Sequence, residues 1–515
     1  MRIKSFSPRL VAGFVVASAL CAASPVAFAQ DVISEFNKKA YGDIQQSKRS
    51  DLVLLPVLAK TQTPPASVSS VFESRMLLKG MKGWDQAAAW ATAAPQVEAL
   101  KALKTVSSEW DWRKSYQFGL PYGYEGVSPE LIRANLYINI SDPPTLAAAE
   151  YSYLPALDRL EMLANIEASR LYADNKPNEA IDIMLSFAHL SRQMCSRKMI
   201  REATWGLDAF CRSMERIRDI GYRSLVDKKQ FDIAALSKQI ETLHPDGYFA
   251  FKRMEMPEGD SIAATQALAR VTEGTQFNTQ QFGSLMAKMS TAGKPLRLFS
   301  EAATWKDATS SHLTPKETET KIANIYADWK VQWGLDPFDG RLGNKTPYEE
   351  LNPEKSILIT KAIPDIRPLR AGRQVAQAEI VGARTALSIL GVFQSNNMFP
   401  NQITAIRPRF VKELDADPFD PKLRETTAKP PMRFLEIKAP QEVLIATSSS
   451  SGPENFSISL KPGVFLLYSI GSDNKDNKAT RIENTSQIVQ GADYLIFPPV
   501  LSLFRQHRVD TGELE

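Results

Sequence analysis

Two aspartates three residues apart, Asp473 and Asp476, interleaved with Asn474 and Asn477, mark the place in this chain where residue type and spacing point to a specific chemistry. Calcium is held by several hard oxygen ligands, and such a loop supplies carboxylate and amide oxygens within a few residues. The same run also reads as an Asx-rich hairpin turn that needs no ion, because Asp and Asn side chains hydrogen-bond backbone two residues on. Elsewhere chemistry-bearing residues are thin. The four histidines, His189, His244, His312 and His507, stand beside no Gly-x-Ser-x-Gly elbow, so a nucleophilic hydrolase has no signature here. Zinc, phosphate-loop and dinucleotide spacings are absent as well. No catalytic residue and no organic cofactor is expected. The acid pairs Glu109 with Asp111 and Asp417 with Asp420 could serve a glycosidase, but two acids among 58 single out nothing. Trp110 and Trp112 could stack on a ligand; the simpler expectation is an irregular cap whose rings bury area without periodicity. His189 falls in an apolar helical series and reads as a core or groove residue. The runs from Arg192 to Arg201 and from Arg212 to Arg223 read as solvated helix faces.

The N-terminus gives an address. A basic head (Arg2, Lys4, Arg9), an apolar run from Leu10 to Ala23 and the small-x-small end Ala27-Phe28-Ala29 form a cleavable secretory signal. The working chain is then expected to start at Gln30, in the periplasm or secreted. A membrane anchor competes, but the run falls short of the roughly 20 apolar residues of a spanning helix. Lipidation at Cys21 also competes; Leu20 stands where such signals carry a small residue. No later segment approaches a spanning length without charges, so no membrane span is expected in the mature chain. Removing the signal takes three basic residues from a net charge of +4. A chain so near neutrality argues against nucleic acid as a partner. Of three cysteines, Cys195 and Cys211 remain after processing. Two buried free thiols are the simpler reading, and a pair on facing helices the alternative.

The clearest helical text runs from Leu154 to Arg223. Leu157, Leu160, Ala164 and Leu171 recur at helical spacing, and so do Ile181, Met184, Leu185 and Ala188. Asp174-Asn175-Lys176-Pro177 between them predicts an antiparallel helical hairpin, followed by helices over 200–220 and 231–243. Ala168 to Ile181 resembles the middle of one tetratricopeptide unit. Asp336-Pro337-Phe338-Asp339-Gly340 predicts a turn, and a long helix is expected over 369–393. Short runs rich in β-branched and aromatic residues (432–437, 443–446, 456–460, 464–470, 494–497) predict a small C-terminal antiparallel sheet. The fold class is therefore α+β, mainly helical hairpins, a bundle or short solenoid, followed by a long helix and that sheet.

From Ala383 onward a series of features stands in order: helix Ala383 to Phe393, the step Phe399-Pro400, the turn Asp417-Pro418-Phe419-Asp420, the run Leu467-Tyr468-Ser469-Ile470-Gly471-Ser472-Asp473-Asn474-Lys475-Asp476, and Asp493 opening a last strand. This stretch resembles the soluble head of the type II secretion major pseudopilin, in the form found in large exported proteins of planctomycete-type bacteria. The resemblance implies a calcium site in the loop after the Tyr-Ser-x-Gly strand, with Asp473, Asp476 and Asp493 on the ligand-bearing stretch. The chain departs from pseudopilins in lacking a prepilin-peptidase signature. It also places Arg370, Arg373, Glu379 and Arg384 on the preceding helix, where a filament core would be apolar. Those arginines are expected on the solvent side, with Val375, Ile380, Ala383 and Leu387 facing the sheet.

The expected organisation is a signal peptide (1–29), an N-terminal helical segment (30–108), an aromatic cap and helical-hairpin body (109–253), an irregular helical region (254–365) and a pseudopilin-like head (366–515). The expected function is an exported, non-catalytic binding or scaffold protein, with another envelope or secreted protein as partner. An exported hydrolase with a carboxylate site in the 109–144 region is the alternative, and an accessory of a secretion machine a third.

Overall fold

The computed structural model describes residues 25–290, 298–424, 429–449, 452–471, 473–483 and 492–514. The segment expected as a signal lies outside the described residues up to Ser24, and the chain is helical from Pro25 to Tyr41. The architecture is α+β. Helices Ser50–Leu58, Val71–Met76, Trp84–Ala91 and Ala94–Val106 lead into the irregular aromatic stretch, which a two-residue strand pair crosses at Ile138–Asn139 and Glu150–Tyr151. The hairpin follows as Leu154–Ala173 and Pro177–Met194. Asn175 sits between them in the left-handed region (φ 60°), and proline at the first position of the second helix gives up an N–H that no helix would use.

The next helix, Ile200–Val226, runs for 27 residues and is the axis of the molecule. Its N-terminus is capped from another element, the Asp260 carboxylate accepting the Ile200 N–H at 2.8 Å. Pro177–Met194 and Arg367–Asn396, the latter 30 residues long, pack along it, and Leu154–Ala173, Tyr494–Phe497 and Val500–Asp510 also touch it. A Cβ at Gly382 would meet Ile496 at 2.5 Å, so that glycine lets the long helix approach the last strand. The sheet region is two three-stranded sheets. In one, Phe465–Ser469 lies between Tyr494–Phe497 and Arg433–Glu436, antiparallel to both. In the other, Gln441–Ser449 pairs antiparallel with Gly452–Leu460 and parallel with Arg481–Glu483. That parallel pairing departs from an all-antiparallel expectation, because 481–483 returns beside 444–446 only after the chain has crossed the first sheet. The helix Val500–Asp510 closes the chain over an apolar cluster that includes Val443, Phe456 and Phe504. The main core draws on residues from Ile33 to Phe497, so the segments before and after 109, 254 and 366 share it.

Two expectations about charge are corrected. The arginine runs are not solvated faces: Arg192, Arg197, Arg216 and Arg218 are fully buried. Nor does the long helix turn its arginines to solvent. Ile380, Ala383 and Leu387 are buried, but so are Glu379 and Arg384, while Arg370, Arg373 and Val375, which was expected against the sheet, are half-buried. The stretch Ile357–Asn396 is long and apolar enough to cross a membrane by composition, with 89% of its apolar window inside the fold. The physical reason is that other elements enclose both helices, so each charge must meet a partner. Arg218 donates to Glu379 at 3.0 Å and Tyr494 donates to the same carboxylate at 2.6 Å. Arg384 pairs with Asp415. Glu202 accepts from Arg197 at 2.9 Å and from the hydroxyls of Tyr122 and Tyr153. Asp219 pairs with Arg216 and with Arg505 at 2.8 Å, and Arg505 also donates to the backbone carbonyls of Arg75 and Met76.

Arg218→Ala should lower stability by about 3–5 kcal/mol in urea unfolding, because it leaves Glu379 charged and buried. Lys316→Ala, which breaks an exposed pair with Glu319, should change it by under about 0.5 kcal/mol. Similar losses for the two would show that the buried pair is not strongly coupled. Asp260 gives a second expectation. Burial pushes its carboxyl up to about 7, the Ile200 N–H and other contacts opposing only in part. A folded-state pKa above the unfolded one gives stability that is complete below pH about 4 and lost as pH rises through about 7. Asp260→Asn keeps an acceptor for Ile200, so its advantage over wild type should grow by about 1–3 kcal/mol between pH 5 and 8. A difference independent of pH would refute this.

Candidate functional site

A cleft of about 620 Å³ opens where three distant segments meet: the loop Leu335–Gly343, the first turns of the long helix, and Phe419, Gly471, Asn474, Glu483, Ala492 and Tyr494 from the sheet region. Each wall has a local cause. The loop turns as its sequence predicts, Asp336 accepting the Phe338 N–H at 2.9 Å and Asp339 the Arg341 N–H at 3.0 Å. Phe419 is presented by the Asp417–Asp420 turn. There Asp417 accepts from the Ser469 hydroxyl at 2.6 Å and the Ile470 N–H at 3.2 Å, and Asp420 pairs with Arg433 at 2.9 Å. Gly471 sits at φ 72°, and a Cβ there would stand 2.6 Å from the Ala492 carbonyl oxygen, so this corner of the wall takes only glycine without strain.

The helix contributes Arg367, Arg370 and Arg373 to one side of the cleft. Arg367 is closed by Asp365 at 2.6 Å and by Glu349. Arg370 donates to the Gln332 side-chain oxygen at 2.9 Å, and Arg373 to the Trp333 carbonyl at 3.0 Å. The Arg373 guanidinium also lies over the Trp333 ring, 4.2 Å from its centre. Among the described residues neither Arg370 nor Arg373 forms an ion pair. Burial, and then repulsion from Arg370, lower the Arg373 pKa to about 10; burial and then Arg367 lower that of Arg370. Cations at a helix N-terminus also oppose the helix dipole. Two partly desolvated guanidinium groups without an ion-pair partner among the described residues, Arg370 feeling Asp365, Asp328 and Glu349 only at longer range, are therefore set around a cavity, an arrangement that an anion would relieve. The side-chain amides of Gln377 and Asn474 line the same space and make no hydrogen bond among the described residues. Further along the helix, beyond Gln377, a second cleft of about 800 Å³ holds charges that largely meet one another, Lys252 with Asp246, Lys429 with Glu413 and Arg384 with Asp415.

The residues singled out in the sequence fall beside this cleft or away from it. Asp473, Asp476 and Asp493 stand in the loop next to the Asn474 wall. Asp493 is buried and accepts the Ala479 N–H at 2.7 Å and the Asn477 N–H at 3.2 Å. Burial pushes its carboxyl up to about 6 against those two hydrogen bonds, and Asp476 and Asp473 add to the rise. Asp476 accepts from the Tyr468 hydroxyl at 3.1 Å and from Arg433 at 3.3 Å, and Asp473 accepts the Lys475 N–H at 3.0 Å. They are neighbours, but among the described residues no three His, Cys, Asp or Glu side chains are gathered as one metal-ligand set. Trp110 packs edge-on against His189, Tyr248 and Phe249, and Trp112 is covered by the Arg192 and Arg253 guanidinium groups. His189 stacks on Tyr248 with ring centres 3.7 Å apart, and burial lowers its pKa to about 4. Cys195 and Cys211 are free, and burial pushes the Cys195 thiol up to about 12.

Sequence reasoning noticed Arg370 and Arg373 only as obstacles to a filament. The signal that could have found them is two arginines in the opening turns of a helix with no acid three or four residues to either side of them. Comparison with known proteins finds no matching family model, no matching curated protein and no matching solved structure. Gly471→Ala should cost about 1–3 kcal/mol through the left-handed backbone, measured by urea unfolding. An unchanged midpoint would show that this corner of the cleft yields freely.

Proposed function

We propose that this chain is an exported binding protein whose ligand site is the arginine cleft and whose ligand is anionic. One observation carries the reading: Arg370 and Arg373 sit half-buried in a cleft with no ion-pair partner among the described residues. Guanidinium groups hold carboxylates and phosphates by paired N–H bonds and stay protonated near neutral pH. The site is thus one for binding rather than for acid–base chemistry. Export rests on the N-terminal signal pattern. The pilin-like reading of the last segment is supported by contacts among the residues that suggested it, Asp417 with Ser469 and Asp476 with Tyr468. As a binding protein it would act on a small molecule or on the acidic end of another envelope or secreted protein.

The test is calorimetric titration of the chain from Gln30 with a panel of small carboxylates, sulfate and phosphate esters at low ionic strength. At least one anion should bind, with affinity falling as salt rises. Arg370→Gln and Arg373→Gln should each weaken it about tenfold or more, the scale of one charge-assisted hydrogen-bond pair. Binding unchanged in both variants would place the anion elsewhere and overturn the assignment.

A further inference from the structure

The two clefts are floored by one stripe of one helix. Arg370, Arg373, Gln374 and Gln377 line the first, and Gln377, Ile380, Val381 and Arg384 line the second. Spacings of three and four keep these residues on one side of Arg367–Asn396. Gln377 belongs to both clefts, so the two meet there end to end. Gln374, at the margin of the stripe, donates to the Pro418 carbonyl at 3.2 Å and so holds segment 415–418 beside the groove. At about 1.5 Å per residue the stripe from Arg370 to Arg384 is about 21 Å long, with Gln377 about 10 Å from either end. An extended polypeptide rises about 3.3 Å per residue, so about six residues would cover it. Charge is uneven along that length. At one end Arg370 and Arg373 form no ion pair among the described residues. His244 aside, the second cleft is lined by five basic and four acidic side chains, with Lys252, Lys429 and Arg384 closed on Asp246, Glu413 and Asp415. A polyanion would thus find its counter-charge at one end of the groove only. Pro245, Val381, Pro408, Phe410 and Leu414 stand among those pairs and offer about 25 cal/mol per Å² to apolar surface laid against them.

We propose that the ligand is the C-terminal segment of another polypeptide, about six residues long and extended along the stripe. Its terminal carboxylate lies between Arg370 and Arg373, and its earlier side chains rest on the apolar wall of the second cleft. The Gln377 side-chain amide makes no hydrogen bond among the described residues. An amide both donates and accepts, so Gln377 can answer both groups of a peptide unit about three residues in from the end. This rests on the reading of the first cleft as an anion site, and the test separates the two.

Four probes are titrated into the chain from Gln30 in low salt: the acetylated hexapeptide Ser-Ala-Leu-Ser-Ala-Leu with a free carboxylate, its C-terminal amide, acetylated Ser-Ala-Leu alone, and tripolyphosphate. The free hexapeptide should bind about tenfold or more above the amide and about fivefold or more above the other two. Arg373→Gln should weaken it about tenfold or more. Ser237→Trp, which fills the second cleft from Ile233–Thr242, should lower it to the affinity of the tripeptide. The order of affinities in the unmodified protein needs no variant, so the proposal stays exposed if a substitution impairs folding. Equal affinity of hexapeptide and tripeptide, both above the amide, overturns the extended segment and leaves the anion site standing. Tightest binding of tripolyphosphate, lost in Arg373→Gln, overturns the polypeptide in favour of a polyanion and likewise leaves the anion site. Amide equal to free hexapeptide overturns the carboxylate's role. Binding of none of the peptides, with tripolyphosphate also silent, overturns both readings.

Discussion

The fold turns on one buried carboxylate that three elements need at once. Glu379, on the long helix, receives Arg218 from the axial helix and the Tyr494 hydroxyl from the last strand. Arg218 and Glu379 are fully buried and Tyr494 nearly so, at the edge of the cleft, so each relies on the others for its hydrogen bonds. A charge in such a place is tolerated only when its partners are fixed, because its desolvation exceeds what one loose contact returns. The geometry of that triangle therefore sets the distance between the two longest helices and the height of the sheet upon them. The Glu202 and Asp219 clusters repeat the device toward the two ends of the axial helix.

The cleft is a by-product of this frame. With the long helix held near its middle by Glu379, its first turns share a cleft with the Leu335–Gly343 loop, Phe419 of the Asp417–Asp420 turn and residues of the sheet region. Arginines in the body of the helix have found carboxylates, as Arg384 has found Asp415. Arg367, at the helix start, is held by Asp365 and Glu349, but Arg370 and Arg373 have found only an amide oxygen and a backbone carbonyl among the described residues. The contrast between satisfied and unsatisfied guanidinium groups on one helix is what marks the site.

Much of the helical architecture was legible because its cause is local. The hairpin of Leu154–Ala173 and Pro177–Met194 follows from spacing and a turn signal, and the described helices match it within a few residues. Five of the strands in the two C-terminal sheets were legible for the same reason, from short β-branched runs between breakers, but Arg481–Glu483 carries no such run and was not foreseen. The fate of the charges was not legible. A run such as Arg212 to Arg223 has the same pattern whether its far face meets water or a second layer of helices, and only packing decides. The cleft was hidden for a related reason. Its three walls lie more than a hundred residues apart at the extremes, and no spacing rule joins Phe338 to Arg373 or to Asn474. The Asp473 loop was visible as a run of oxygen ligands. What the run could not show was that Arg433, Tyr468 and two backbone N–H groups would already be directed at it.

The contact of Arg505 with Asp219 and with the carbonyls of Arg75 and Met76 joins residues up to 430 positions apart. This has a consequence in time rather than in space. The axial helix can form early, from local bonds, but Asp219 and Arg216 inside it stay incompletely satisfied until the last helix arrives. Contacts at such separation form late, after the closure of a long loop. A growing chain would thus hold its central helix with open charges until almost all of it is available. Completion of the core is then a single late event that seals both ends of the chain together, and a chain truncated before residue 505 could not reach it.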